Sequence, residues 1–198
     1  MNIMTKIQYG LYILTSCFGG KDNGCIINTV CQVADNPERI IISVNNKNYT
    51  CDMIKASKKF NISVLTEETP FSVFQHFGFN SGRDFDKFYN KDGVFRSENE
   101  VYVASKYSNS YISGKVIESI DMGSHTLFIA EVTAGYVFND KPGMTYAYYH
   151  KNTKPKPQEQ TGSGYRCEIC GYVYEGDELP DDFICPICKH GVADFVKM

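Results

Sequence analysis

No stretch of this 198-residue chain approaches the roughly 20 consecutive apolar residues a membrane-crossing helix requires. The segment "LYILTSC" (Leu11 to Cys17) superficially matches a lipoprotein signal, but its apolar stretch is very short. Lys6 is the only basic residue ahead of it and Tyr9 and Tyr12 interrupt it, so it reads as a β-strand. An excess of positive charge is also missing. Twenty basic residues stand against 23 acidic ones, which gives no support to nucleic-acid binding. The cysteines at 17, 25, 31 and 51 lack the spacing of a disulfide scaffold, and the expected compartment is the reducing cytoplasm. There is no G-x-G-x-x-G, no G-x-x-x-x-G-K-[ST] and no H-E-x-x-H. Rossmann and P-loop nucleotide sites are therefore not indicated. His76, His125 and His150 are too scattered to suggest a metal centre, and no Ser/His/Asp order stands out.

What is present is a soluble globular composition, 42% hydrophobic and 22% charged, long enough for one ordinary domain plus a small one. The segment 151–164, "KNTKPKPQEQTGSG", has two prolines, two glycines and almost no large apolar residues. It cannot pack a core and reads as a linker, spanning about 20 Å if flexible. Charge follows the same boundary. Residues 165–198 hold three basic and seven acidic residues, while 151–164 hold three basic and one acidic. The expected organisation is a domain over 1–150, a linker over 151–164 and a module over 165–198.

The large domain reads as mainly β. "YGLYILTSC", "CIINTVCQV", "RIIISVN", "FNISVLT", "VYVAS", "SYISGKVIESI" and "HTLFIAEVTAGYVF" are rich in β-branched and aromatic residues. Turn clusters at 19–24, 34–38 and 90–93 separate several of them. "NYTCDMIKAS" and "PFSVFQHFG" read as short helices, the latter with Phe71, Phe74 and Phe77 at helical spacing for core or interface packing. Many strands and few helices in about 150 residues predict a closed barrel.

The module carries "YRCEICGYVYEGDELPDDFICPICKHG", with Cys167 and Cys170 paired as C-x2-C with Cys185 and Cys188 across a 14-residue gap. Two such hairpins bring four thiolates around one tetrahedral ion, and Gly171 suits the positive φ the first turn requires. Tetrahedral sulfur coordination serves both iron and zinc. The surrounding "CGYVY" and "PDDFICPIC" resemble rubredoxin, a one-iron electron carrier, which implies one iron ion per chain held by those four cysteines, with zinc as the alternative. The same resemblance implies apolar packing around the site from Tyr165, Tyr172, Tyr174, Phe183 and Phe195. Two departures stand out. The gap is shorter than in free-standing rubredoxins and closer to the module ending rubrerythrins, and Lys189 follows Cys188 where rubredoxins usually have Gly. The acidic residues Glu168, Glu175, Asp177, Glu178, Asp181 and Asp182 have two readings: steering of a basic redox partner, or a solvated surface keeping a small module soluble.

The large domain resembles the flavin reductase-like family, the FMN-binding split β-barrels. The blocks that carry this are "NGCIINTVCQV", "ISVNNKNYTCDMI", "FNISVL", "FGFNSGRDFDKF", "DMGSHTLFIAEV" and "PGMTYAYYH". The resemblance implies bound FMN, usually in a homodimer with the flavin near the subunit interface. The family match places Asn28 to Cys31 beside the flavin ring, and Asn28, Thr29 and Cys31 are the candidates there. Lys47 and Thr50, where a helix starts, and Ser81 with Arg83 suit a phosphate. Each has a plainer reading: a bulge residue for Asn28, a solvated turn for Lys47, a helix cap for Thr50, and pairing with Asp84 or Asp86 for Arg83. His125 stands where related reductases often place a histidine on the nicotinamide side of the flavin, or is a satisfied strand-end residue. Cys17, Cys25 and Cys51 read as small core residues.

The whole chain resembles the flavin reductase–rubredoxin fusions called high-molecular-weight rubredoxins. That resemblance implies an electron-transfer protein. FMN would take electrons from NAD(P)H or a partner reductase. They would pass singly through the iron site to a partner such as a flavodiiron-type oxygen or nitric oxide reductase, with no role for nucleic acid or membrane. The alternative is an NAD(P)H:flavin oxidoreductase with a structural zinc-ribbon tail.

Overall fold

The computed structural model describes residues 3–155, 164–168, 171–186 and 191–198. The large domain is built on a hairpin of β1 (Tyr12–Phe18) and β2 (Lys21–Ile27), then a second of β3 (Val30–Asp35) and β4 (Glu38–Asn45). Helix α1 (Tyr49–Ser57) leads into β5 (Lys59–Leu65). A helical turn, α2 (Phe71–Phe74), runs directly into a π-helical turn over Gln75–Phe79. A short hairpin of β6 (Val94–Arg96) and β7 (Tyr102–Ala104) precedes the two longest strands, β8 (Ser108–Asp121) and β9 (His125–Val137). Seven strands form one antiparallel sheet in the order β2-β1-β5-β8-β9-β4-β3.

The two edge strands of that sheet, β2 and β3, are consecutive in the chain. "CIINTVCQV" reads as one strand but is divided: Asn28 and Thr29 leave the ladder, and β3 goes on to pair with β4 instead of β2. The curled sheet is thus open along one seam, with Asn28 and Thr29 crossing it. The turn cluster at 19–24 also shrinks. Only Gly19 and Gly20 make the turn, because Lys21 to Gly24 already pair with Phe18 to Thr15.

Strand periodicity explains the core. Leu14, Ile40, Ile42, Val44, Phe60 and Ile62 point into the barrel with Phe128, where α1 adds Cys51 and Ile54 from one face. Fully burying a side chain such as Phe60 or Phe128 stabilises by about 1.5–3 kcal/mol. The opposite face of β1 presents Ile13, with Leu11 just ahead of the strand, to a second cluster holding Phe74, Phe77, Phe88 and Tyr149. The Phe71/Phe74/Phe77 spacing is therefore used for packing.

A buried asparagine fastens the β6–β7 hairpin to the sheet. Asn61 donates from Nδ2 to Ser97 Oγ (2.8 Å) and Val101 O (2.9 Å). Its Oδ1 accepts from Asn99 Nδ2 (2.8 Å) and Ser113 Oγ (2.7 Å). With all four positions satisfied, its burial carries no desolvation penalty left unmet.

The C-terminal module has its own small sheet in the order β11-β10-β12, formed by β10 (Tyr165–Cys167), β11 (Val173–Tyr174) and β12 (Phe195–Lys197). At the end of the large domain, α3 (Tyr146–Tyr148) continues as a π-helical turn through Thr153, three residues into the segment read as linker. Residues 156–163 of that linker lie outside the described residues.

Lys87 is 4% exposed, and its ammonium donates to Gly24 O on edge strand β2 (2.7 Å) and Phe77 O (2.8 Å). Burial lowers its pKa to about 8, opposed by Cys25 beside it, from an ordinary 10.5. Below pH 8 the lysine is charged in both states, and the folded protein bears the full burial penalty. Between about 8 and 10.5 the unfolded chain holds a proton that the folded one has released, so this contribution to stability rises with pH. The stability of the native protein minus that of a Lys87→Met variant, from urea unfolding, is expected to be flat below about pH 8 and to climb towards pH 10.5.

Candidate flavin seat and thiolate centre

The first site lies where α1 meets β2. Helix α1 starts at Tyr49 with Asn48 as its N-cap, so Thr50 is not the cap but lies inside the first turn, fully buried. Its Oγ1 accepts from Asn23 Nδ2 of β2 (3.0 Å). Burial pushes the Cys25 thiol up to about 11, against the opposing effects of its hydrogen bond with Thr50 and of the Lys87 charge. Cys25 and Cys51 are buried, whereas Cys17 is half-buried.

The loop after the π-helical turn closes over the same place. Arg83 pairs with Asp52 of α1 (2.5 Å) and lies over the Tyr49 ring, 4.7 Å from its centre. Asp84 and Asp86 are not its partners in any described contact. Ser81 Oγ accepts from Arg83 N (3.2 Å). Gly82 comes close here: a Cβ on it would stand 2.0 Å from Asn23 Oδ1, so any larger residue would have to displace the Asn23 side chain. That oxygen is buried and has no hydrogen-bond partner among the described residues. Thr50, Ser81 and Arg83 thus meet around the N-terminal turn of α1, whose peptide dipoles favour an anion. Lys47 sits one residue before the N-cap, exposed, its N–H donating to Asn45 Oδ1 (2.8 Å). Asn45 pairs across the sheet with His125, which opens β9 with Nδ1 2.9 Å from Ser124 Oγ.

Asn28, Thr29 and Cys31 lie apart from this group, at the far end of β2 and the start of β3. Thr29 Oγ1 donates to Asn28 Oδ1 (3.1 Å), and both residues are half-buried on the seam. Cys31 is exposed and lines a groove of about 700 Å³ with Ile40, Tyr111, Val132 and Tyr136. From Asn23 to Asn28 the chain covers roughly 16 Å at strand spacing. Asn23, Tyr49 and Lys87 went unnoticed in the sequence. A polar residue inside a strand betrays its burial only once the partner across the gap is known.

The second site is the pair of buried cysteines in the C-terminal module. Cys167 and Cys185 are both fully buried and pack with Tyr172 and Phe195. Phe183 adds rings to this packing, stacked on Tyr172 at 6.3 Å and edge-on to Phe195 at 5.4 Å. Tyr174 joins through Phe183 at 4.8 Å, while Tyr165 instead faces Lys197. Gly171 has φ +82° and its N–H donates to Cys167 O (2.9 Å), the knuckle turn expected after a C-x2-C ligand. Cys170, Cys188 and Lys189 lie outside the described residues. Two buried thiols side by side in a module this small fit a soft metal ion far better than an apolar core.

The chain matches the model of the flavin reductase like domain over residues 4–156 and that of the rubrerythrin, rubredoxin-like domain over residues 165–196. It is 36% identical to the high molecular weight rubredoxin of Moorella thermoacetica, an alignment covering 97% of this chain and 96% of that protein. It is 39% identical to the ferric-chelate reductase (NAD(P)H) of Archaeoglobus fulgidus, over 76% of this chain and 89% of that protein. Among solved structures, flavoredoxin from Methanosarcina acetivorans superposes with a TM-score of 0.60 at 20% identity, covering 69% of this chain and 74% of that one. Flavin reductase PheA2 gives 0.59 at 24% identity, over 73% and 88%. The protein is a flavin reductase-like split barrel joined to a rubredoxin-like module. It belongs to the flavin reductase-like family over its large domain, and the pairing of its two domains is that of an electron-transfer protein.

Proposed function

We propose that this chain takes up electrons at its barrel, from NAD(P)H or a donor reductase, and passes them singly from its C-terminal module to a partner protein of the flavodiiron oxygen or nitric oxide reductase type. The observation that carries this reading is that one chain holds both an arginine-bearing loop at the N-terminal turn of α1, on the unpaired edge of the barrel sheet, and two fully buried cysteines packed together in its C-terminal module. Bound FMN would supply a two-electron acceptor able to release electrons one at a time, and an iron ion on Cys167, Cys170, Cys185 and Cys188 a one-electron centre.

The protein's own groups divide the work. The N-terminal turn of α1 with Ser81 and Arg83 receives the phosphate, Lys47 adds charge, and Asn23 supports the seat from behind. Asn28, Thr29 and Cys31 address the ring along the seam, where strand-edge backbone groups have no neighbouring strand to pair with. The distance between these ends suits a ligand with a phosphate, a polyol chain and a flat ring. His125, at the same end of the barrel as Lys47, is the residue suited to meet a nicotinamide. The apolar groove containing Cys31, beside the exposed Tyr136 and Val137, favours a homodimer with the flavin near the interface. The membrane has no part in this reading; no helix among the described residues is long and apolar enough to cross one.

The purified protein is expected to be red, with ferric-thiolate charge-transfer bands over a yellow flavin spectrum. A purely yellow protein with one zinc per chain would favour instead an NAD(P)H:flavin oxidoreductase with a structural tail. Arg83→Ala is expected to weaken FMN binding by roughly tenfold or more, the worth of a charge-assisted hydrogen bond, while riboflavin, which lacks the phosphate, binds unchanged. Fluorescence quenching titrations read both, and an equal loss for both ligands would remove Arg83 from the phosphate seat. Sedimentation should give a dimer, converted to monomer by Val137→Asp in the groove; a native monomer rules the shared interface out.

A further inference from the structure

The thiolate cluster is not closed by its own module alone. Phe79, the last residue of the π-helical turn Gln75–Phe79 in the barrel domain, packs against Cys167 and Cys185 alongside Tyr172 and Phe195. A second contact lies next to it in the chain. Lys154 Nζ, at the start of the basic connector, donates to the carbonyl of Glu168 (2.9 Å), the residue after Cys167. Phe79 is itself held from behind. Its ring meets Phe71 edge-on at 5.9 Å, and Phe71 stacks at 6.4 Å on Tyr149, which is 8% exposed in the second core cluster.

We propose that the barrel carries a docking site for its own C-terminal module, with Phe79 as the positioning residue that covers the thiolate site. Three observations support this. Cys167 and Cys185 are fully buried in a module of about 34 residues, which has too few side chains to enclose them on every side. The connector carrying Lys154 is basic where the module is acidic, so the tether and the docked body attract one another. The contact also reaches the barrel through an unbroken series of aromatic rings, so Phe79 stands on a rigid base and not on a free loop. The docked module leaves Glu175, Asp177, Glu178, Asp181 and Asp182 exposed. The acidic residues are then free to meet a basic partner while Phe79 covers Cys167 and Cys185, and the module can serve both without leaving the barrel.

The inference rests on reading the tail as a thiolate metal module but not on the direction of electron flow. Its test is small-angle X-ray scattering on the full chain, together with the rate at which a chelator strips the module of its metal. Phe79→Ala is expected to increase the maximum dimension and to speed metal loss by about two- to tenfold, the worth of one aromatic contact. Phe79→Leu should restore both, since an apolar side chain of similar size still covers the site. Lys154→Ala, which leaves the aromatic core untouched, should expand the chain in the same direction and guards against a Phe79 variant that merely unfolds. Dimensions and metal release unchanged in both alanine variants would overturn the docking site. A protein that carries no metal but expands in both variants would refute the metal reading and leave docking supported.

Discussion

Everything in the large domain follows from one break in hydrogen bonding: β2 and β3 are joined by two residues yet do not pair. A strand edge left open exposes N–H and C=O groups that must find other partners. On the β2 side, Lys87 takes the carbonyl of Gly24, and the segment from Phe77 to Lys87 packs alongside. On the other side, β3 is carried by β4 alone and keeps Cys31 exposed above a groove. Along the seam left between them, backbone can be offered to a ligand without unzipping the seven-stranded sheet.

The meeting of Arg83 with the first turn of α1 depends on the same break. Because β2 has no neighbour on its outer side, the loop carrying Ser81, Gly82 and Arg83 can descend onto it, until the Gly82 backbone meets Asn23. Helix α1 approaches from β4 and puts its first turn at the same spot, with Thr50 hydrogen-bonded to Asn23. Arg83 then has two ways to spend its charge: on Asp52 and the Tyr49 face, as found here, or on a ligand phosphate arriving at the helix end. An exposed pair of this kind contributes little to stability, roughly 0–1 kcal/mol, so its exchange for a phosphate costs the fold little.

The C-terminal module solves a different problem. With so few residues it cannot bury a large core of its own, and two fully buried cysteines, Cys167 and Cys185, stand at its centre. Its rings, Tyr172, Phe183 and Phe195, form one wall of the cluster, and the barrel's Phe79 forms another. The acidic surface remains outside. The linker composition, which reads as a tether, is compatible with a module that rests on its neighbour.

Much of this was legible in the sequence because it rests on local patterns. The two C-x2-C hairpins, the glycine after Cys170, the alternation of strands such as "RIIISVN" and the break in composition at 151–164 depend on neighbours in the chain. The family blocks likewise singled out Thr50, Ser81 and Arg83, whose role toward a phosphate remains a proposal. What tertiary structure alone decided involves residues far apart in sequence. It split "CIINTVCQV" at Asn28, because whether a strand continues depends on which edge it meets. It moved the N-cap from Thr50 to Asn48 and gave Arg83 to Asp52, 31 residues away, in place of its neighbours Asp84 and Asp86. It also set Phe79 against Cys167 and Cys185, 88 and 106 residues downstream, since a short-range pattern can mark a ring as apolar but not name the surface that will cover it.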